Sequence, residues 1–280
     1  MFSINCRGRL LSFEVPVVMG IINTTPDSFY GGSRHKGIHD ILKTTETMLT
    51  DGASIIDIGG QSTRPGSERI SADQELNRVI PAIENITREF PEAIISIDSY
   101  YSSVVTEAIA AGASIVNDVS AGTMDEALIP TVASLGVPYV LMHMQGAPQT
   151  MQSNPTYKNV SLEVFDHLNI KLAALQKAGI MDIIIDPGFG FGKTISHNFQ
   201  LLHHLSFFSQ LERPLMVGLS RKATVYKSLS ITPDQALNGT TVMHTIALLN
   251  GANILRVHDV KEAMEAIKLI SLYKEAGTVQ

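Results

Sequence analysis

The chain is 280 residues long and 44% hydrophobic, enough to bury the core of one barrel-sized domain or of two smaller ones. Its 27 acidic residues exceed its 21 basic ones, for a net charge of -6, which argues against a nucleic-acid binder, since such proteins usually carry a basic excess or stripe. The single cysteine, Cys6, excludes an internal disulfide framework and a cysteine-pair zinc site. Neither a secretory core nor an apolar run of about 18 residues is present, so a soluble cytoplasmic protein that binds no membrane is expected.

Residues 2 to 15 alternate apolar and polar character around Arg7-Gly8-Arg9, which predicts a hairpin placed to plug the bottom of a barrel. After Pro16 a strand-helix rhythm begins. Strands are predicted over Val17 to Asn23, Ser54 to Gly59, Ala93 to Asp98, Ser114 to Asp118, Tyr139 to Met144, Asp182 to Asp186, Leu215 to Leu219 and Asn253 to Val257. They are rich in Ile and Val, as parallel strands buried on both faces are. Helical periodicity falls at about 40–50, 71–90, 100–111, 125–135, 159–178, 196–211, 233–250 and 260–276. Several of these helices end in a Gly-apolar step, such as Ala111-Gly112-Ala113 and Leu135-Gly136-Val137, where glycine takes the left-handed cap without a Cβ penalty. Eight such units point to an α/β fold, a TIM (β/α)8 barrel with an N-terminal β-hairpin, in one domain over residues 1–280; a doubly wound open sheet is the alternative.

In a barrel, the C-terminal strand ends converge on one mouth, where chemistry is found. Here those ends carry Asn23, Asp57, Asp98, Asn117 with Asp118, His143, Asp186, Ser220 with Arg221 and Lys222, and Arg256 with His258. Asp98, Asn117 and Asp186 follow Ile-rich runs, so they need hydrogen-bond partners when buried. A nitrogen heterocycle with an amide-amidine edge would supply them, and a magnesium ion is the rival occupant. Arg64, Lys222, Arg256 and His258, beside the loops Thr24 to Gly32 and Gly60 to Ser67, suit a phosphate or diphosphate. The segment Gly188-Phe189-Gly190-Phe191-Gly192-Lys193-Thr194 ends like a Walker A loop, but Pro187 stands where that motif needs its first glycine. It reads as a strand-end loop whose two phenyl rings can line an apolar subsite. Met142 and Met144 alternate with His143, so one face of that strand lines the mouth. His203 and His204, adjacent on a helix and so pointing apart, are expected to have structural or surface roles.

Met19-Gly20-Ile21-Ile22-Asn23-Thr24-Thr25-Pro26-Asp27-Ser28-Phe29, Gly59 to Gly66, Ser96-Ile97-Asp98-Ser99, Ile115 to Val119, Leu141 to Gly146, Asp186 to Lys193, Gly218 to Lys222 and Leu255 to Asp259 resemble the signature blocks of the dihydropteroate synthase family. The resemblance covers the chain after the hairpin. It implies a TIM barrel of folate biosynthesis that joins 6-hydroxymethyl-7,8-dihydropterin diphosphate to 4-aminobenzoate, with Mg2+ as cofactor, a homodimeric state and a place among the targets of the sulfonamide drug class. It further implies that Asp98, Asn117, Asp186 and Lys222 read the pterin edge, with Arg256 stacked on the ring and Met142 in the substrate pocket. Asn23, Thr63, Arg64, Arg256 and His258 would hold the diphosphate, Asn23 also through Mg2+, while Ser220, Lys222, Phe191, Thr63 and Pro65 would surround the aminobenzoate. Asp98, Asp186, Lys222 and Arg256 would be the catalytic set. Two positions depart from the family's habit: Gln61 stands where Glu is common, and Tyr100 where Lys is common. A barrel that moves a methyl group from a folate to a corrinoid, and an inactive pterin-binding paralogue, are the competing readings. The presence of Thr63, Arg64 and Lys222 counts against both. The apolar residues Val242, Ile246, Leu248, Ile267 and Leu272 either form the dimer surface or pack on the barrel.

Overall fold

The computed structural model describes residues 2–24, 34–61, 69–147 and 150–277. Eight parallel strands form the barrel: β1 (Val17–Asn23), β2 (Ile55–Gly59), β3 (Ile94–Asp98), β4 (Ile115–Asp118), β5 (Tyr139–Met142), β6 (Ile183–Asp186), β7 (Met216–Val217) and β8 (Ile254–Val257). They pair in the order β6-β5-β4-β3-β2-β1-β8-β7. The remaining seam, between β6 and β7, is closed by a parallel bridge between Ile185 and Leu215 and by the Ile185 amide donating to Pro214 O at 2.8 Å. The result is a nearly closed TIM barrel.

The hairpin strands Ser3–Cys6 and Arg9–Ser12 pair antiparallel, and Gly8 turns between them at φ +92°, a conformation glycine adopts without strain. Ile4, Cys6 and Phe13 are buried against Met19, Ile55, Ile115, Val140, Ile184, Met216 and Ile254, with Phe2, Leu11 and Ile94 packed alongside. These barrel residues lie at the N-terminal ends of their strands, so the hairpin plugs the bottom of the barrel. A second, larger cluster fills the space between strands and helices.

The helices are α1 (Arg34–Thr50), α2 (Ala72–Glu89), α3 (Ser102–Ala111), α4 (Leu128–Leu135), α5 (Val160–Lys177), α6 (Ile195–His203), α7 (Ala223–Tyr226), α8 (Leu237–Leu249) and α9 (Val260–Ala276). Local chemistry sets several starts. Ser71 and Gln74 form a reciprocal capping box before α2, Thr194 and His197 do the same before α6, and Asn159 caps α5. Each such cap contributes on the order of 1 kcal/mol.

Some boundaries differ from the sequence reading. The helix expected over 196–211 is two pieces, α6 and a 3₁₀ segment Leu205–Leu211, because the chain tightens at His204 and leaves through Glu212 at φ +53°. The expected 233–250 helix likewise starts as a 3₁₀ turn, Pro233–Gln235, before α8. Strand β7 keeps only Met216–Val217, since Gly218 to Lys222 turn into the mouth, and the short α7 was not foreseen. Among the described residues, no helix is long and apolar enough to cross a membrane.

Candidate active site

Alternate residues of a strand face the same side of a sheet, and this places the mouth by counting upward from the plugged bottom. Two residues on from Ile55, Ile115, Val140, Ile184, Met216 and Ile254, all in the bottom layer, come Asp57, Asn117, Met142, Asp186, Gly218 and Arg256. Four residues on from Met19 and Ile94 come Asn23 and Asp98. The interior therefore changes from hydrocarbon to polar within one layer. Asp118, by the same alternation, faces outward; it accepts from the Tyr139 hydroxyl at 2.6 Å and from the amides of Ser120 and Gly122, a structural role.

Arg256 ties the polar layer together. Its Nε and Nη2 reach Asp57 Oδ2 at 2.7 and 2.6 Å, and Nη2 also donates to Asp98 Oδ2 at 2.6 Å. Asn117 Nδ2 donates to the same Asp57 oxygen at 3.0 Å. Burial works against the Arg256 charge, but Asp57 and Asp98 overcome it and hold the guanidinium protonated above its usual range. Burial pushes the Asp98 carboxyl up to about 7, against the pull of Arg256. Asp57 is fully buried. Its Oδ1, and Ser96 Oγ on the register-paired residue of β3, have no hydrogen-bond partner among the described residues. The sequence reading gave Arg256 both to the anion side and to stacking on the pterin ring; in the fold its guanidinium contacts Asp57 and Asp98. Asp57, named only as one strand end among eight, turns out to anchor the group.

Lys222 and the loop after β6 form the opposite wall. Lys222 Nζ donates to Phe189 O at 2.6 Å and lies 4.7 Å from the centre of the Phe191 ring, a cation-π distance. It folds back over Gly218, where an added Cβ would stand 3.6 Å from Nζ and 4.0 Å from Arg256 Cβ. Burial lowers Lys222 to about 8, while Asp186 pulls it back up. Asp186 is raised by its own burial, opposed chiefly by Lys222, and accepts from the Gly188 amide at 2.7 Å. Phe189 is wholly buried as core, so of the two phenyl rings Phe191 is the one placed beside the lysine. Met142 Cγ lies 3.3 Å from where a Gly188 Cβ would stand.

Ser220 Oγ and His258 Nδ1 are 3.0 Å apart, and the His258 amide donates to Ser220 Oγ at 3.2 Å. Arg221 does not join the mouth: its Nε and Nη2 grip Asp259 at 2.8 Å each, and Nη1 reaches the carbonyls of Pro233 and Asp234. His203 and His204 are exposed. Glu75, which no strand pattern could reveal, lies buried beside the mouth; burial raises it to about 7, and the Ser99 hydroxyl donates to it at 3.0 Å. The two departures from the family's habit meet, with Gln61 Nε2 donating to Tyr100 Oη at 2.8 Å. Thr63, Arg64 and Pro65, expected at the anion site, lie outside the described residues.

Asn23 stands at the end of β1, and its Oδ1 and Asp98 Oδ2 each lie 3.7 Å from where a Gly59 Cβ would be. Among the described residues, no cluster of three His, Cys, Asp or Glu exists that could cage a metal. A magnesium ion suits such a place only through one or two protein oxygens, with substrate phosphates and water completing its shell, which is its usual habit.

Residues 19–258 match the family model described as "Pterin binding enzyme". The dihydropteroate synthase of Escherichia coli (strain K12) is 43% identical over 266 residues, 94% of each chain. A crystal structure of the Yersinia pestis dihydropteroate synthase in a sulfonamide drug complex superposes with a TM-score of 0.92 at 39% identity, covering 98% of this chain and 100% of that one. The Xanthomonas albilineans dihydropteroate synthase in complex with 7,8-dihydropteroate gives a TM-score of 0.87 at 35% identity, with both chains fully covered. The chain belongs to the dihydropteroate synthase family, pterin-binding transferases that condense 6-hydroxymethyl-7,8-dihydropterin diphosphate with 4-aminobenzoate in folate biosynthesis.

Proposed function

We propose that the polar layer of the barrel carries out this condensation with Asp98, Asn117 and Asp186 reading the pterin edge and Lys222 beside them. The observation that supports this most is the run of inward residues on β2, β3, β4, β6 and β8, in which the Asp57 and Asp98 carboxylates bind the Arg256 guanidinium and the Asn117 amide nitrogen donates to Asp57. Asp98 and Asp186 face the ring as it becomes electron-poor. Arg256, held by Asp57, presents a guanidinium plane for stacking, and Met142 adds an apolar surface. Asn23 and His258, with Thr63 and Arg64, take the diphosphate. Ser220, Lys222 and the Phe191 ring, with Thr63 and Pro65, take the aminobenzoate, the side where a sulfonamide would compete.

In the reaction, the carbon-oxygen bond at the pterin methylene breaks and its electron pair leaves with diphosphate. The aniline nitrogen then bonds to the cationic methylene and sheds a proton. No protein nucleophile is required, so positioning and electrostatics account for the catalysis. Mg2+ bound through Asn23 would supply further positive charge to the leaving group. The lone Cys6, buried as a free thiol, accords with a reducing cytoplasm.

A homodimer is part of the same reading. Leu248 and Ile267 pack into the core, but Val242, Ile246 and Leu249 on α8 and Leu269, Leu272 and Tyr273 on α9 are exposed. Contiguous apolar side chains on two neighbouring helices mark a surface for a second copy.

Three outcomes test these assignments. Purified protein given the pterin diphosphate, 4-aminobenzoate and Mg2+ is expected to release diphosphate and form 7,8-dihydropteroate; folded protein with no product would refute the assignment. Asp98 must be ionised to hold Arg256, so kcat/KM is expected to fall as pH drops through about 7. Lys222 must keep its proton to donate, so kcat/KM falls again as pH rises through about 8. A rate profile that is flat between about pH 6 and about pH 9 would contradict both roles. Light scattering on the eluting protein should read the mass of two chains, and Leu269→Glu with Leu272→Glu should halve it; a wild-type monomer would remove the dimer.

A further inference from the structure

Lys193 is nearly as buried as the residues of the hydrophobic core, and none of the roles above uses it. Its Nζ lies 2.9 Å from Gly188 O, 3.1 Å from Phe191 O, 2.9 Å from His143 Nδ1 and 3.4 Å from His143 O. An ammonium has only protons to give, so His143 accepts through Nδ1 as a neutral ring. Burial and the neighbouring Lys193 charge drive the His143 pKa down to about 2, in keeping with that form. Burial lowers Lys193 itself to about 7, with Asp186 opposing.

We infer that Lys193 is a positioning residue for Lys222: it folds the Gly188–Phe191 turn onto the end of β5 so that this turn presents one carbonyl and one aromatic face to the Lys222 amine. The inference rests on the assignment of Lys222 to the substrates. The hydrogen-bond inventory of the loop carries it. The carbonyls of Gly188 and Phe191 accept from Lys193, Gly188 O also from the Phe191 amide at 3.2 Å; that of Gly190 accepts from Gln152 Nε2 at 2.5 Å, and that of Gly192 from the Tyr157 hydroxyl at 2.9 Å. The Phe189 carbonyl, between the two that Lys193 holds, is the one that receives Lys222, at 2.6 Å. Contacts with the backbone of residues 143–145 fix where the turn sits. A Cβ on Gly188 would meet His143 O at 1.9 Å, and one on Gly192 would meet Gln145 O at 2.3 Å. Without the Lys193 ammonium, the Phe191 carbonyl and the His143 nitrogen would lose the donor they have here and Gly188 O would keep only the Phe191 amide at 3.2 Å, so the turn would have to rearrange to find others. Lys222 and the Phe191 ring would move with it.

The test is a double-mutant cycle in the full-length chain, measuring turnover and thermal melting for Lys193→Met, Lys222→Ala and the pair. Lys193→Met is expected to melt cooperatively and lose about 10- to 100-fold in kcat/KM. The double variant should be no worse than Lys222→Ala alone, because both losses run through one amine. Folded Lys193→Met with wild-type turnover, or a loss that multiplies with that of Lys222→Ala, would overturn the inference; a merely structural lysine gives the second result. If Lys193→Met does not fold, Lys193→Gln, which keeps an amide donor, should show a smaller loss that likewise vanishes in the Lys222→Ala background. Full activity in Lys222→Ala would instead strike down the assignment of Lys222, and the inference with it.

Discussion

Everything at the mouth depends on one buried contact, the Asp57 carboxylate against the Arg256 guanidinium. Burying either charge alone is costly, and removing one partner of such a pair typically destabilises by about 3–5 kcal/mol, because the other is left uncompensated. The barrel meets this cost by doubling the contacts. Arg256 is shared with Asp98 across the top of the barrel, and Asn117 donates into the same Asp57 oxygen. The arrangement converts a stability problem into a functional one, since the charge Arg256 must keep is presented at the entrance. Among the described residues, Asp57 Oδ1 and Ser96 Oγ have no hydrogen-bond partner beneath it.

The second wall is built on different physics. Where Arg256 is fixed by charge, Lys222 is fixed by a backbone carbonyl and an aromatic face, and that carbonyl is fixed by a turn wrapped on another buried cation. Two glycines make this wrapping possible, because only a residue without a Cβ fits against His143 O and Gln145 O. The two walls meet at Gly218, the position over which Lys222 folds back beside Arg256. Among the described residues, the acids and bases of the mouth are held by one another or by the backbone, an arrangement suited to catalysis by positioning and electrostatics.

Much of this was legible in the chain. Ile55-Ile56-Asp57, Ile94 to Asp98 and Ile183 to Asp186 show apolar residues ending in an acid, and the period of two fixes which face the acid takes. The hairpin plug was legible for the same reason, since a short alternating segment has to bury its one apolar face somewhere. What escaped was anything decided by distance across the barrel. Asp57 looks like its neighbours until Arg256, 199 residues away, reaches it. Lys193 resembles the end of a phosphate-binding loop until its amine is seen to turn inward onto protein carbonyls. Glu75 is buried from a helix whose other polar residues are largely exposed, and only the packing under Gly60 shows it. Gln61 and Tyr100 read as separate irregularities in sequence, yet their side chains are hydrogen-bonded to each other.

Asp57 is the residue that holds Arg256 in place, and the most direct measurement of this is the turnover of folded Asp57→Asn, which keeps the shape of the side chain and removes its charge. With Arg256 no longer drawn onto Asp57, kcat/KM should fall by about 100-fold while the protein still melts cooperatively. A folded Asp57→Asn enzyme working within about twofold of the wild-type kcat/KM would contradict it.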